Sequence, residues 1–310
     1  MSVNAFRNRD VVSVKDFSRD ELDALFKTAS DVEANPGDYR DVFPDKRVAL
    51  LFSEPSTRTY GSFEASATNL GCKILSNRDP AATSFAKGET LHDTIRMIES
   101  YDTDCIVMRD KRWGSSRYAA EVTELPVISG GSGSREHPTQ AMLDLYTILK
   151  RRGRLDNVKL AFVGDLRYGR TCSSLSYGLG KYDGVELVFV APPILQVRRE
   201  VEIHLQQVGV PYTKTSNLGE AIEDMDVLYV TRVQKERFPD PTDFERIRGS
   251  YVVDMELVRR GKPGLGVMHP LPRVDELSPE IDRTEHCWYF EQAANGIPIR
   301  TALLYLVLGD

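Results

Sequence analysis

Long apolar runs, clustered cysteines and an excess of basic charge are all missing from this sequence of 310 residues. No apolar stretch is long enough to span a bilayer, and residues 1–14 carry charges where a signal peptide needs an apolar run. The four cysteines lie far apart, a spacing that matches neither a disulfide framework nor a zinc-ligand set. We therefore expect a cytoplasmic protein with reduced cysteines and no membrane association.

The overall charge gives no sign of a nucleic-acid partner. The net charge is -6, from 40 basic and 46 acidic residues, whereas nucleic-acid and anionic-membrane surfaces favour an excess of Lys and Arg. Any site for an anion must therefore be local. The length exceeds that of one ordinary core and predicts two domains.

Short apolar runs that end at Gly, Pro, Ser or Asp alternate with helix-period segments, which predicts an α/β fold with mainly parallel sheets. The predicted strands of the first half are Val48–Phe52, Cys105–Met108 and Val127–Ser129. Those of the second half are Val158–Val163, Val185–Val190, Val227–Val230, Tyr251–Val253 and Gly266–Met268. We expect two domains, each with a sheet flanked by helices, and an active site in the cleft between them.

The domain junction is predicted where a Gly-rich segment precedes a helix. Residues 130–134 read Gly-Gly-Ser-Gly-Ser and predict a flexible loop, and Pro138–Lys150 has one apolar stripe. The first domain is accordingly predicted to span residues 1–136 together with a C-terminal helix at about 290–310. The second domain is predicted to span residues 137–289.

The predicted strands are followed by an unusual number of cationic residues. Ligands of open α/β sheets bind beyond the carboxyl ends of the strands. Arginine grips carboxylate or phosphate through two parallel hydrogen bonds, so these segments predict a site for phosphate and carboxylate groups. The segments are Ser56–Thr59, Arg109, His137–Gln140, Gly164–Thr171, Thr231–Gln234 and His269–Arg273.

Two of these segments suggest distinct chemistry. Ser56–Thr59 should begin a helix, where free backbone N–H groups attract a phosphate, although an ordinary helix cap is the alternative. His137 lies between a Gly-rich segment and a helix and is a candidate hydrogen-bond donor to a developing oxyanion. His269 begins a rigid His-Pro-Leu-Pro turn and is at least as easily explained by a structural role, in which the backbone carbonyls of Pro270 and Leu271 matter more to a ligand than the imidazole.

Two alternative functions would use the same residues. Gly164–Thr171 has the spacing of a nucleotide-binding P-loop, but Arg170 stands where that motif requires Lys, and Val252–Asp254 could be its magnesium-binding strand. A non-catalytic protein that binds a small dianion would also use these arginines. Turnover without a metal would exclude the first alternative, and turnover itself would exclude the second.

The segment Phe52–Thr59, Phe-Ser-Glu-Pro-Ser-Thr-Arg-Thr, resembles the carbamoyl-phosphate signature of the aspartate/ornithine carbamoyltransferase family. The resemblance covers nearly the whole chain, and Arg232-Val233-Gln234 and the loop His269–Arg273 are similar to the aspartate branch. Two departures from the family pattern are Ser129–Gly133, where relatives typically have Asn-Ala-Gly-Asp-Gly, and Asp110, where a histidine is common.

The resemblance implies a role for each motif residue. The residues implied to bind carbamoyl phosphate are Ser56, Thr57, Arg58, Thr59, Ser84, Lys87, Arg109, His137, Gln140, Pro270 and Leu271. Those implied to bind aspartate are Lys87, Arg170, Arg232, Gln234 and Leu271. The implied catalytic residues are Arg58, Thr59, Arg109 and His137.

The implied reaction transfers the carbamoyl group of carbamoyl phosphate to the amine of L-aspartate, a step of pyrimidine biosynthesis. It needs no metal and no organic cofactor. The implied assembly is a homotrimer with shared active sites, in which Ser84 and Lys87 reach in from a neighbouring subunit. Regulatory chains are possible further partners.

Overall fold

The computed structural model describes residues 5–77, 88–233 and 251–309, and the chain divides into two compact units. The first unit comprises Met1–Tyr146 with Asn295–Asp310, and the second comprises Thr147–Ala294. The division falls within the helix Pro138–Arg152. It thus lies later in the chain than the junction predicted at residues 136 and 137.

A parallel sheet of four strands, in the order β2-β1-β3-β4, forms the centre of the first unit. The strands are β1 (Arg47–Phe52), β2 (Lys73–Asn77), β3 (Cys105–Asp110) and β4 (Val127–Ser132). The apolar residues of β1 and β3 are buried, as expected for a parallel sheet covered on both faces. Its helices, numbered over the described residues, are α1 (Arg19–Ala34), α2 (Thr57–Asn69), α3 (Leu91–Glu99), α4 (Ser115–Val122), the start of α5 (Pro138–Arg152), and two 3-10 turns (Val14–Asp16 and Pro36–Tyr39).

The second unit contains a parallel sheet of five strands in the order β7-β6-β5-β8-β9. The strands are β5 (Lys159–Val163), β6 (Glu186–Val190), β7 (Tyr212–Thr215), β8 (Val227–Val230) and β9 (Gly266–Met268). Its helices are α6 (Arg170–Leu179), α7 (Arg199–Gln207), α8 (Leu218–Ala221), α9 (Met255–Val258) and α10 (Tyr289–Ala294), with 3-10 turns at Pro193–Leu195 and Pro279–Arg283. Two mainly parallel sheets flanked by helices confirm the predicted fold class.

The last helix, α11 (Gly296–Leu308), belongs to the first unit and packs against α1 and α2. Apart from Arg300 and Thr301 it is almost entirely apolar on all sides, and a helix of that composition has to be buried. Within the described segments, no helix is both long and apolar enough to cross a membrane.

The structure corrects several sequence predictions at the sheet edges. The strands β2 and β7 were not predicted, because both lie at an edge and carry exposed polar residues instead of an apolar run. Tyr251–Val253 is not a strand, since Val253 forms only an isolated bridge with Leu277.

The predicted flexible loop at residues 130–134 is also wrong in its first half. Strand β4 continues through Ser132, and all six of its residues are buried. Gly130 is closely packed, because a Cβ there would lie 3.3 Å from each of three atoms, the Met108 carbonyl oxygen, Phe52 Cζ and Thr59 Cγ2. Glycine therefore suits this position because it is small, and not because its backbone is flexible.

Candidate active site

The amino terminus of α2 lies directly after β1 and is open to a ligand. Ser56 occupies the cap position, yet its side chain makes no capping hydrogen bond with the described residues. Thr57 and Arg58 are exposed. A cavity of about 250 Å³ lies at this point, lined by Phe52, Glu54, Pro55, Ser56, Thr57 and Tyr60. The ordinary-cap interpretation of Ser56–Thr59 therefore loses its main support, and the backbone N–H groups of the first turn suit an anion.

Thr59 and His137 are brought together although 78 positions separate them. Thr59 Oγ1 and His137 Nε2 lie 3.3 Å apart, and only 6% of Thr59 and 3% of His137 are exposed. Thr59 belongs to the first turn of α2, and the His137 carbonyl accepts the N–H groups of Gln140 and Ala141 at the start of α5. Two helix starts thus place two polar groups at one buried point.

Arg109, the penultimate residue of β3, lies beside the same strand end of β1, since Phe52 pairs with Arg109 in the sheet. Its Nε donates to Glu54 Oε2 at 3.1 Å, and one terminal nitrogen donates to the Gly130 carbonyl at 3.1 Å. The side chain of Arg109 is 14% exposed. These bonds fix the guanidinium group in one place, where it is largely shielded from water and its charge acts strongly on a ligand.

The segment Ser129–Gly133 and the nearby Asp110 are held by polar contacts with neighbouring residues. Ser129 Oγ accepts from Ser116 at 3.0 Å, and the hydroxyls of Ser132 and Ser115 lie 3.1 Å apart. Asp110 accepts two hydrogen bonds from the Arg112 guanidinium group, each 2.9 Å long, and one from Ser53. Burial alone raises the pKa of Asp110, but these bonds outweigh it and lower that pKa. Serine hydroxyls and one ion pair therefore order this segment.

Gln140, in the first turn of α5, connects the site to a buried charge. Its amide donates to Asp144 at 2.9 Å, and Asp144 lies near Arg300 of α11. Arg300 in turn donates to Ser62 of α2 at 2.5 Å. Burial lowers the pKa of Arg300 to about 9 although Asp144 opposes the shift, so the guanidinium group stays charged at neutral pH.

Arg300 and Glu54 had no assigned role in the sequence analysis. A single arginine within the apolar stretch 296–308 is a signal that could have identified Arg300. Glu54 stands inside the signature segment, but only the folded chain shows its bond to Arg109.

In the second unit, the β5–α6 turn and the end of β8 meet. A Cβ at Gly164, which has φ +109°, would lie 2.2 Å from the Thr231 carbonyl oxygen. Thr231 Oγ1 donates to the Val163 carbonyl at 2.9 Å. Arg170 begins α6, and Arg232 is half-buried just after β8, so both arginines stand at the carboxyl edge of neighbouring strands.

The loop after β9 lies at the same edge, because β8 pairs with β9. His269 is 2% exposed and bonds to Glu276 at 2.7 Å. Leu271 has φ +54° and precedes a cis peptide bond to Pro272. The structural role that the sequence suggested for His269 is therefore consistent with its burial.

Three of the predicted site residues, Ser84, Lys87 and Gln234, lie outside the described residues.

The P-loop alternative finds no support in its proposed magnesium ligand, because Asp254 caps α9 by accepting the Leu257 N–H at 2.9 Å. Within the described part of the chain, no group of three or more His, Cys, Asp and Glu residues is arranged to hold a metal ion.

Family models match both units. Residues 9–150 match the carbamoyl-phosphate binding domain of aspartate/ornithine carbamoyltransferases, and residues 156–307 match the Asp/Orn binding domain. The chain belongs to the aspartate/ornithine carbamoyltransferase family.

Individual relatives are similar over almost their whole length. The aspartate carbamoyltransferase catalytic subunit of Methanosarcina acetivorans is 48% identical, over 98% of each chain. That of Thermofilum pendens is 46% identical, over 98% of this chain and 96% of the relative. Among solved structures, aspartate transcarbamoylase of Trypanosoma cruzi in complex with carbamoyl phosphate and aspartate aligns with a TM-score of 0.92 at 36% identity, covering 100% of this chain and 99% of that one.

Proposed function

We propose that this carbamoyltransferase moves the carbamoyl group of carbamoyl phosphate to the amine of L-aspartate, giving N-carbamoyl-L-aspartate and phosphate. The observation that carries the proposal is the buried contact of Thr59 with His137, next to the open start of α2 and the fixed guanidinium of Arg109. Relatives named aspartate carbamoyltransferase, and a relative solved with both substrates, support the same reaction.

The phosphate group of the first substrate is bound by the first unit. Ser56, Thr57, Arg58 and Thr59 hold the phosphate at the amino terminus of α2, where the helix dipole and free N–H groups stabilise negative charge. Arg109 bridges the phosphate and the carbonyl oxygen. Gln140 contacts the carbamoyl amide, for which its bond to Asp144 already orients it.

The second substrate is bound by the second unit. Arg170, Arg232 and Gln234 hold the two carboxylates of aspartate, a role that guanidinium groups suit because they grip carboxylates through paired hydrogen bonds. The main-chain carbonyls of Pro270 and Leu271 accept hydrogen bonds from substrate N–H groups. Ornithine carries a side-chain ammonium group in place of the side-chain carboxylate, and the two arginines repel it.

The chemistry is a direct attack of the neutral aspartate amine on the carbonyl carbon, through a tetrahedral intermediate from which phosphate leaves. Thr59, Arg109 and His137 donate to the oxygen that becomes negative. Preorganised donors in a buried site stabilise that charge without reorganising during the reaction. Holding two anionic substrates in reacting geometry contributes the rest of the rate acceleration. Well-oriented pairs of reactants lower the barrier by about 7–11 kcal/mol.

The proposed assembly is a homotrimer with shared sites in the cytoplasm. Ser84 and Lys87 of one subunit complete the phosphate site of its neighbour, and the resemblance to the family is what supports this arrangement.

An acceptor-competition assay tests the proposed reaction. The purified chain is supplied with carbamoyl phosphate and with aspartate, ornithine or both, after treatment with a metal chelator. We expect carbamoylaspartate at an undiminished rate and negligible citrulline. Citrulline as the main product would overturn the assignment to aspartate, and chelator-sensitive nucleotide hydrolysis without carbamoyl transfer would overturn the reaction itself.

A further inference from the structure

The loop after β9 contains a backbone conformation that its residue type disfavours. Leu271 has φ +54°, in the left-handed region where the Cβ of most residues crowds the backbone. Among the described residues, the other non-glycine residues with positive φ are all Asn or Asp, which tolerate this region. They are Asn8, Asp41, Asp102 and Asn157. Leu271 therefore needs external support.

His269 supplies a hydrogen bond at this residue. Its Nδ1 accepts the Leu271 N–H at 2.8 Å, and its Nε2 lies 2.7 Å from Glu276 Oε1. A ring nitrogen that accepts carries no proton, so the proton is on Nε2 and is donated to the Glu276 carboxylate. The two bonds together specify a neutral imidazole in a single tautomer.

The His269 backbone and its partner Glu276 are each held by further hydrogen bonds. The His269 backbone N–H donates to Gln292 Oε1 at 2.8 Å, and Gln292 is 1% exposed. The Glu276 carboxylate also accepts the Val274 N–H, and its side chain is 7% exposed. Burial alone raises the pKa of Glu276, but the bond from His269 and the backbone bonds outweigh it and keep that pKa low, so the acceptor stays charged.

The far side of the loop has a second anchor. Arg273 donates to both carboxylate oxygens of Asp282, at 2.6 Å to Oδ2, and to the Tyr289 hydroxyl at 3.1 Å. Pro270, Leu271 and Pro272 therefore lie between two fixed side chains. Of the two, only His269 bonds directly to the strained residue.

We infer that His269 is a positioning residue, which holds the main chain of Leu271 so that the carbonyls of Pro270 and Leu271 meet the N–H groups of the substrates. The inference rests on the proposed function, which gives those carbonyls their ligand. His269 needs no contact with the substrate in this role. Loss of this support should weaken the binding of carbamoyl phosphate, whose amide can donate to these carbonyls. It should leave the binding of inorganic phosphate unchanged, because inorganic phosphate has no amide.

Two substitutions separate the two bonds of the imidazole. In His269→Asn, the amide oxygen takes the place of Nδ1 and still accepts the Leu271 N–H, but the donor to Glu276 is lost. In His269→Gln, the longer side chain places its amide at the Nε2 position, so it still donates to Glu276 but leaves Leu271 without its acceptor. Each variant thus keeps the bond that the other loses.

The test compares ligand binding with stability in these two variants of the full chain. Calorimetric titration gives Kd for carbamoyl phosphate and for inorganic phosphate, thermal unfolding gives Tm, and hydrogen exchange followed by mass spectrometry reports on the peptide that contains Leu271. We expect His269→Gln to raise the Kd of carbamoyl phosphate about three- to tenfold, the effect of one ordinary hydrogen bond, with phosphate unchanged. Exchange at Leu271 should accelerate in that variant only.

The ranking of the variants should reverse for stability. His269→Asn should have the lower Tm, because it deprives a buried carboxylate of its donor, yet it should bind carbamoyl phosphate nearly as the unsubstituted chain does. The same ranking in both measurements, or equal weakening of phosphate and carbamoyl phosphate, would show a merely structural histidine. Failure of the unsubstituted chain to bind carbamoyl phosphate would instead refute the proposed function, and the exchange data would still decide whether His269 supports Leu271.

Discussion

Replacing His137 with alanine tests the chemical step most directly. The substitution removes the ring whose Nε2 lies 3.3 Å from Thr59 Oγ1, at a point that is 3% exposed. Water therefore cannot easily replace the lost donor. Loss of one preorganised oxyanion donor raises the barrier by about 2.7–4 kcal/mol, which lowers kcat by roughly a hundred- to a thousandfold.

The kinetic pattern distinguishes this role from simple substrate binding. A donor that acts mainly in the transition state lowers kcat and kcat/KM together and leaves KM nearly unchanged. Steady-state rates at saturating aspartate, with carbamoyl phosphate varied, measure both constants. His137→Gln is the matched control, since its amide nitrogen can reach the Nε2 position and should restore part of kcat.

Folding has to be monitored because the ring is buried. Removal of a buried side chain commonly costs about 0.5–3 kcal/mol of stability, so thermal unfolding and the Kd of phosphate are measured alongside the rates. A folded His137→Ala variant that binds phosphate normally and loses less than about tenfold in kcat would refute the oxyanion role, since tenfold corresponds to only about 1.4 kcal/mol.

Two further predictions concern the second substrate and the assembly. Arg232→Ala should raise the KM of aspartate by at least about tenfold, because it removes a charge-assisted partner of a carboxylate, and should spare carbamoyl-phosphate binding; equal losses in titrations of both ligands would contradict the assignment. Lys87→Ala and Arg58→Ala should each be nearly inactive alone, yet regain activity when the two are dissociated and reassociated together, since some hybrid sites contain both native groups. Hybrids that form but stay inactive would show that Lys87 does not serve a neighbouring subunit.

The fold class and the signature residues followed from the sequence alone. Interior strands such as β5 and β8 are buried on both faces, so their apolar runs mark them without reference to the rest of the chain. Ser56–Thr59 could be placed at a helix start because a strand precedes it and helical spacing follows it. Local patterns of this kind are sufficient because each depends on a few consecutive residues.

Only the tertiary structure decided which distant groups meet. The pairing of Thr59 with His137, and of Arg109 with Glu54, depends on the order of strands in the sheet and leaves no mark in local spacing. The run at Gly130 predicted a mobile loop because glycine permits many conformations. In the folded chain that glycine has the opposite role: the surrounding atoms leave little space for a Cβ, and the strand continues through it.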